Sequence, residues 1–230
     1  MTERNAETSS RPMARTTGVV YLLYFLTAIS GELLISGMIV SADPAATATN
    51  ILAHERLFRL SFAVGLISTA LYIAVTVLFY GLFKPVNKTV ALLATFLSLA
   101  GCAIQAFGSL FRVAPFVILD GSSYLSAFKL DQLQVIALTF LKLNVQSAHI
   151  YLVFFGMFNL SIGYLIFKSA FLPRTLGVLM ALSGLGWLMF LSPSLANYLL
   201  PYIEVLGILA EASLMLWLLV KGVKVERWKE

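Results

Sequence analysis

The sequence predicts an all-α, polytopic membrane protein: a six-helix transmembrane bundle with N- and C-termini cytoplasmic. Three observations predict it. Of the 230 residues, 60% are hydrophobic and 12% charged, with a mean hydropathy of +0.90. A soluble domain carries about 25% charged residues and about 45–50% apolar ones. Six segments reach the ~20 mostly apolar residues that a helix needs to cross a bilayer. The basic residues gather in alternate connections, the asymmetry that sets orientation. Together these exclude a soluble globule, a disordered chain and a barrel of short alternating strands.

The elements follow in order. Residues 1–16 are polar and expected to form a disordered cytoplasmic tail. The first span is expected over Thr17–Val40. Val40-Ser41-Ala42 has the small residues of a signal-cleavage site, but the run before it is too long for a signal peptide and contains Glu32, so it reads as a retained span. Asp43-Pro44 pairs an N-cap with a proline at the first helical position and predicts a short external helix, Pro44–Ala53. The second span is Leu57–Phe83, closed by Pro85, and the third is Thr89–Leu119. Asp131 with Gln134 has capping-box spacing and predicts an external extension of the fourth helix. The fourth span itself is Val145–Phe167. Pro173 separates it from the fifth, Thr175–Leu191, and Pro201 opens the sixth, Pro201–Val220. The transmembrane domain thus covers 17–221, and 222–230 form a basic cytoplasmic tail.

The basic residues fix the expected orientation. Arg4, Arg11 and Arg15 precede the first span, Lys84 and Lys88 follow the second, and Lys168 and Arg174 follow the fourth. Lys221, Lys224, Arg227 and Lys229 follow the sixth. The opposite side has only Arg56, Arg59 and Lys129, while Arg112 and Lys142 fall in or near spans. Lys and Arg collect in cytoplasmic loops, so both ends are placed inside a bacterial cell membrane. The net charge of +5 therefore reads as orientation, and nucleic acid is not expected as a partner. The single cysteine, Cys102, lies in an apolar run and excludes a disulfide framework.

The stretch Phe140–Phe190, FLKLNVQSAHIYLVFFGMFNLSIGYLIFKSAFLPRTLGVLMALSGLGWLMF, resembles a bacterial membrane family catalogued as domain of unknown function 4386. So do ARTTGVVYLLY at Ala14–Tyr24, DPAATATNILAHERL at Asp43–Leu57 and GILAEASLMLWLLVKGV at Gly207–Val223. The resemblance spans nearly the whole chain. It implies a six-helix membrane protein and brings no activity with it.

Polar residues at membrane depth are the candidate site. A charged side chain near the bilayer centre costs roughly 2.5–3.5 kcal/mol on insertion scales, and such groups are usually paired or face a cavity. The candidates are Glu32 in the first span, Arg59 in the second, Gln105 and Arg112 in the third, Gln146 and His149 in the fourth, and Glu204 and Glu211 in the sixth. Gly101, Gln105, Gly108 and Arg112 share a helix face by their spacing, as do Lys142, Gln146 and His149, and Glu204, Gly207 and Glu211. These faces are expected to converge on one outward-facing polar pocket. The plainer alternative is charge pairing that holds the bundle together, with Arg112 neutralised by Glu32 or Glu204. Lys142, Arg59 and Glu204 lie close enough to the interface to snorkel into water.

No cofactor and no metal are expected. His54 and His149 are far apart and lack the local spacing of a zinc motif. Ser147 lies two residues before His149, on a different helix face, and no nucleophile elbow or Walker loop is present. Gly156 and Gly163 on the fourth span, and Gly177, Ala181 and Gly184 on the fifth, are expected to let helices approach closely. Trp187, Trp217, Trp228, Tyr21, Tyr80, Tyr124, Tyr198 and Tyr202 read mostly as interface anchors, with Trp187 and Trp217 deep enough to line a cavity.

Three functional readings follow. The first is a small-molecule or ion/proton-handling protein, because acidic residues in spans mark such pathways. The second is a non-catalytic membrane partner, sensor or lipid-binding scaffold, whose partners would be membrane lipid, a second copy or another membrane protein. The third is a membrane-embedded hydrolase.

Overall fold

The computed structural model describes residues 3–223, with side chains from Pro12 onward. Seven helices and no strand occur among the described residues: α1 (Glu3–Leu34), α2 (Pro44–Ala53), α3 (Glu55–Phe83), α4 (Lys88–Ile118), α5 (Leu130–Lys168), α6 (Arg174–Leu188) and α7 (Pro193–Val220). Short 3-10 turns occupy Ser123–Leu125 and Met189–Leu191. Six segments are long and apolar enough to cross a membrane: Pro12–Leu34 of α1, then α3, α4, α5, α6 with its 3-10 extension, and α7. The chain is a multi-pass membrane protein.

Local chemistry sets the helix ends. Asp43 is extended and its side chain accepts from the Ala46 amide at 2.9 Å, with Pro44 in the first turn, so α2 starts where the Asp-Pro pair predicts. Asn87 caps α4 in the same way, through the Val90 amide at 3.0 Å. Four boundaries differ from expectation. α1 is helical from Glu3, across the residues read as a tail, and it ends at Leu34 rather than Val40. Gly37 takes φ +77°, a left-handed conformation open to glycine, and turns the chain there. α5 is capped two residues earlier than expected. Gln132 accepts from the Lys129 amide at 2.9 Å, one half of a capping box, so the pair is Lys129/Gln132 rather than Asp131/Gln134. α7 begins at Pro193 behind Ser192, eight residues before Pro201. Pro201 lies inside the helix and removes one donor without ending it. Within the basic tail at 222–230, residues 224–230 lie outside the described residues, and with them Lys224, Arg227, Trp228 and Lys229.

The chain forms two compact units. The first comprises Met1–Leu23, Leu71–Cys102 and His149–Glu230. Its core is aromatic: the Tyr21 ring meets Phe79 edge-on at 5.6 Å, and Phe79 stacks with Phe158 at 6.2 Å. Tyr72 meets Phe155 at 4.9 Å, and Phe83 stacks with Phe171 at 6.0 Å. The helices of this unit touch through small residues. A Cβ on Gly163 would stand 2.8 Å from Gly177 O, and one on Gly184 would stand 2.7 Å from Gly156 O. The small residues expected to let helices approach closely thus form one seam between α5 and α6, backbone against backbone. Gly18 of α1 meets α7 in the same manner, 2.6 Å from the Leu219 amide nitrogen. Lipid tails are as apolar as leucine, so such packing, not the hydrophobic effect, holds membrane helices together.

The second unit comprises Tyr24–Ala70 and Ala103–Ala148. Its core gathers Ile35, Met38, Ile51, Phe58, Phe116, Leu138 and Leu141. Phe58 meets Phe116 edge-on at 5.4 Å. Gly108 has no room for a side chain against Ser147, and Asn144 Nδ2 donates to Gly108 O at 2.9 Å. The α4 face that carries Gly108 therefore faces α5, as its spacing implies.

Candidate functional site

The polar candidates divide between the two units. In the second unit, Arg112 donates to Glu32 at 3.1 Å. Of the two expected partners it is therefore Glu32 that neutralises Arg112. The pair is lopsided, with 18% of the Arg112 side chain exposed against 70% of Glu32. Because α1 ends at Leu34, Glu32 sits in its last turn. Arg59 pairs with Glu55 at 2.6 Å along α3, and its guanidinium lies 4.2 Å from the centre of the Phe116 ring. Gln105 is partly buried, while Gln146 and Lys142 are exposed.

In the first unit, His149 is partly buried with its ring 4.9 Å from Phe190, and its buried Nδ1 has no hydrogen-bond partner among the described residues. Glu204 is exposed, about three turns into α7. Glu211 is different. Its carboxyl joins three helices: Tyr21 of α1 donates to Oε2 at 2.8 Å, and Asn159 of α5 donates to Oε1 at 3.1 Å. The same Asn159 Nδ2 reaches Ser183 Oγ of α6 at 3.3 Å. Tyr21, Asn159 and Ser183 are buried and Glu211 is partly buried. Among the described residues no cation pairs with Glu211.

The sequence places each member of this cluster by ordinary rules. Asn159 lies between Gly156 and Gly163, and Ser183 adjoins Gly184, so the glycine seam brings the two polar side chains together. Tyr21 follows Gly18 by one helical turn, on the face that meets α7. Tyr21, Asn159 and Ser183 escape a reading of the sequence. Tyr21 reads as an interface anchor but is fully buried. Asn159 stands alone in an apolar run. Its position midway between two glycines at helical spacing is the signal that marks its face. Tyr124, Tyr198 and Tyr202 are 64%, 81% and 74% exposed, as anchors should be.

The arrangement suits a carboxyl that holds or releases a proton. Both oxygens accept from neutral donors, which fits an ionised carboxylate. A neutral acid fits equally, since a phenol oxygen accepts as well as donates. Among the described residues no three His, Cys, Asp or Glu side chains come together as a metal site.

No curated protein and no solved structure matches the chain. The family model described as domain of unknown function (DUF4386) matches residues 16–222. That match covers both units and every residue of the Glu211 cluster, and this multi-pass membrane protein belongs to the DUF4386 family.

Proposed function

We propose that this protein handles protons, or a small solute coupled to them, in a bacterial cell membrane with both termini cytoplasmic, and that Glu211 is its proton-binding group. The carrying observation is the carboxyl of Glu211, held between Tyr21 and Asn159 within an apolar helix and, among the described residues, without a cation. A structural carboxyl at such depth is usually paired with a charge, and intramembrane acids mark proton and substrate pathways. The test is infrared difference spectroscopy of the full-length protein in lipid nanodiscs, stepped through pH. A protonated-carboxyl band that grows with acid and is missing in Glu211→Gln supports the reading. A spectrum identical in the two proteins refutes it.

A second reading, a lipid-binding scaffold, is favoured by a separate observation. Arg15, Lys84, Lys88, Lys168, Arg174 and Lys221 are all exposed in the first unit, and none forms an ion pair among the described residues. Juxtamembrane basic groups attract anionic headgroups with about 1 kcal/mol each. Co-purified anionic lipid that is lost on neutralising Lys168 and Arg174, with no titration of Glu211, favours this second reading.

A further inference from the structure

We infer that Asn159 turns its side-chain amide over when Glu211 takes up a proton, which makes the α5–α7 contact a two-position switch; this rests on Glu211 being the proton-binding group. Asn159 is fully buried. Its Nδ2 is used twice, towards Glu211 Oε1 at 3.1 Å and Ser183 Oγ at 3.3 Å. Its Oδ1 is equally buried and has no partner among the described residues. A buried acceptor left unpaired is costly, and a native site that retains one calls for a reason.

The reason lies in the symmetry of the amide. The nitrogen and oxygen ends have nearly the same shape, so half a turn about the last side-chain bond exchanges them. With Nδ2 towards Glu211, the carboxyl must offer a lone pair. With Oδ1 towards Glu211, the carboxyl must offer a proton. Ser183 suits both arrangements, because its hydroxyl accepts from Nδ2 or donates to Oδ1. Tyr21 is equally adaptable at the other carboxyl oxygen. In either orientation one end of the amide faces the unpartnered side, an acceptor in the first and two N–H donors in the second, so neither orientation escapes that cost. What remains to choose between them is the state of Glu211.

The step balances. A proton adds to Glu211 Oε1. The Nδ2–H···Oε1 and Nδ2–H···Ser183 Oγ hydrogen bonds break, and Oε1–H···Oδ1 and Ser183 Oγ–H···Oδ1 hydrogen bonds form in their place. The titratable group facing Glu211 is the Tyr21 phenol of α1. Asn159 of α5 and Ser183 of α6 are uncharged, and among the described residues no Lys, Arg or His is ion-paired with Glu211. The glycine seam fixes the backbones on which Asn159 and Ser183 stand, so the rotation needs no movement of a helix.

The experiment follows two signals in one sample. Full-length protein carrying side-chain carbonyl-labelled asparagine is titrated in nanodiscs, with the carboxyl band assigned by Glu211→Gln and the amide band by Asn159→Leu. The expected result is that the Asn159 amide band shifts with the same midpoint as the Glu211 carboxyl band. A carboxyl band that titrates while the amide band stays fixed overturns the switch and leaves the proton-binding proposal standing. If neither band changes, both fall. Should Asn159→Leu fail to fold, a solid-state NMR distance serves without any variant. Dipolar coupling from Asn159 15Nδ2 to the Glu211 carboxyl carbon is expected at high pH and lost at low pH, and coupling unchanged across the Glu211 titration overturns the switch.

Discussion

Replacing Gly163 by alanine forces α5 and α6 apart. The new Cβ would lie 2.8 Å from both Ala181 N and Gly177 O and 3.1 Å from Ala181 Cα, whereas ordinary contact begins at 3.4 Å. All three obstacles are backbone atoms and have no rotamer to yield. The helices must separate locally by roughly half an ångström, a gap that already forfeits about a quarter of the dispersion well for the atoms involved. Gly156, Gly177 and Gly184 all lie on the same seam and share the loss. The Asn159–Ser183 bond, already 3.3 Å long, stretches out of range. Overpacking of this kind costs about 1–3 kcal/mol. Alanine returns up to about 1 kcal/mol through helix propensity. With the full propensity gain those two terms leave a net loss of roughly 0–2 kcal/mol, and because every obstacle is backbone the upper half of that range, about 1–2 kcal/mol, is expected, read from reversible unfolding in mixed detergent micelles. Gly65→Ala is the control. Nothing lies within 4 Å of its added Cβ, so only the propensity gain remains, and stability should hold or rise. A Gly163→Ala protein as stable as wild type would refute the seam.

Three further outcomes are expected. Glu32→Gln should cost less than about 1 kcal/mol, because exposed ion pairs are worth about that at most; a loss several times larger would mean the Arg112–Glu32 pair is dry despite its open carboxylate. A cysteine at Ser126 should react with an impermeant thiol reagent added outside cells, and one at Lys88 should not; the reverse pattern inverts the orientation, and the native Cys102, 1% exposed, adds little background. In the α4–α5 connection the Asp120 carboxyl accepts from the Ser122 hydroxyl at 2.7 Å and the Ser122 amide at 2.8 Å, and these bonds hold its pKa below the usual aspartate value. A lowered pKa means the turn is stabilised above the usual value and loosens as pH falls through the lowered one. The Ser122 amide shift should therefore titrate with a midpoint below about 3.9, and a midpoint at or above that value contradicts the bonding.

Much of the fold is legible in the sequence because membrane spans are long and loops are short. The start of α2 at Asp43-Pro44, the end of α3 before Pro85 and the break at Pro173 each follow from one residue's backbone chemistry. The errors have the same scale. Pro201 reads as a start because proline favours first turns, yet Ser192-Pro193 offers the same signal earlier and the helix tolerates the later proline. Gly37 lies inside an apolar run, so composition gives no hint that the chain turns there. Of the candidate site, Glu211 is legible from charge and depth alone. Its partners are not. Tyr21 is 190 residues away in the chain and Asn159 52, and only the packing of glycines brings them together. The Glu32–Arg112 pair is legible because an arginine in a span demands a carboxylate.

Backbone contact between helices is also insulation. Where Gly18 meets Leu219, the space between α1 and α7 does not admit a Cβ, let alone a water molecule ~2.8 Å across. The contact lies one turn from Tyr21 and about two turns from Glu211, on the side of the α7 end that carries Lys221. A file of water cannot run along that seam to the carboxyl, so the helix pair closes it to protons hopping from that direction. A potential of 100 mV does about 2.3 kcal/mol of work on each charge that crosses the membrane, and an open seam beside a proton-binding group would dissipate it. Under the proposed function, the close approach at Gly18 shuts one route by which Glu211 would otherwise leak protons.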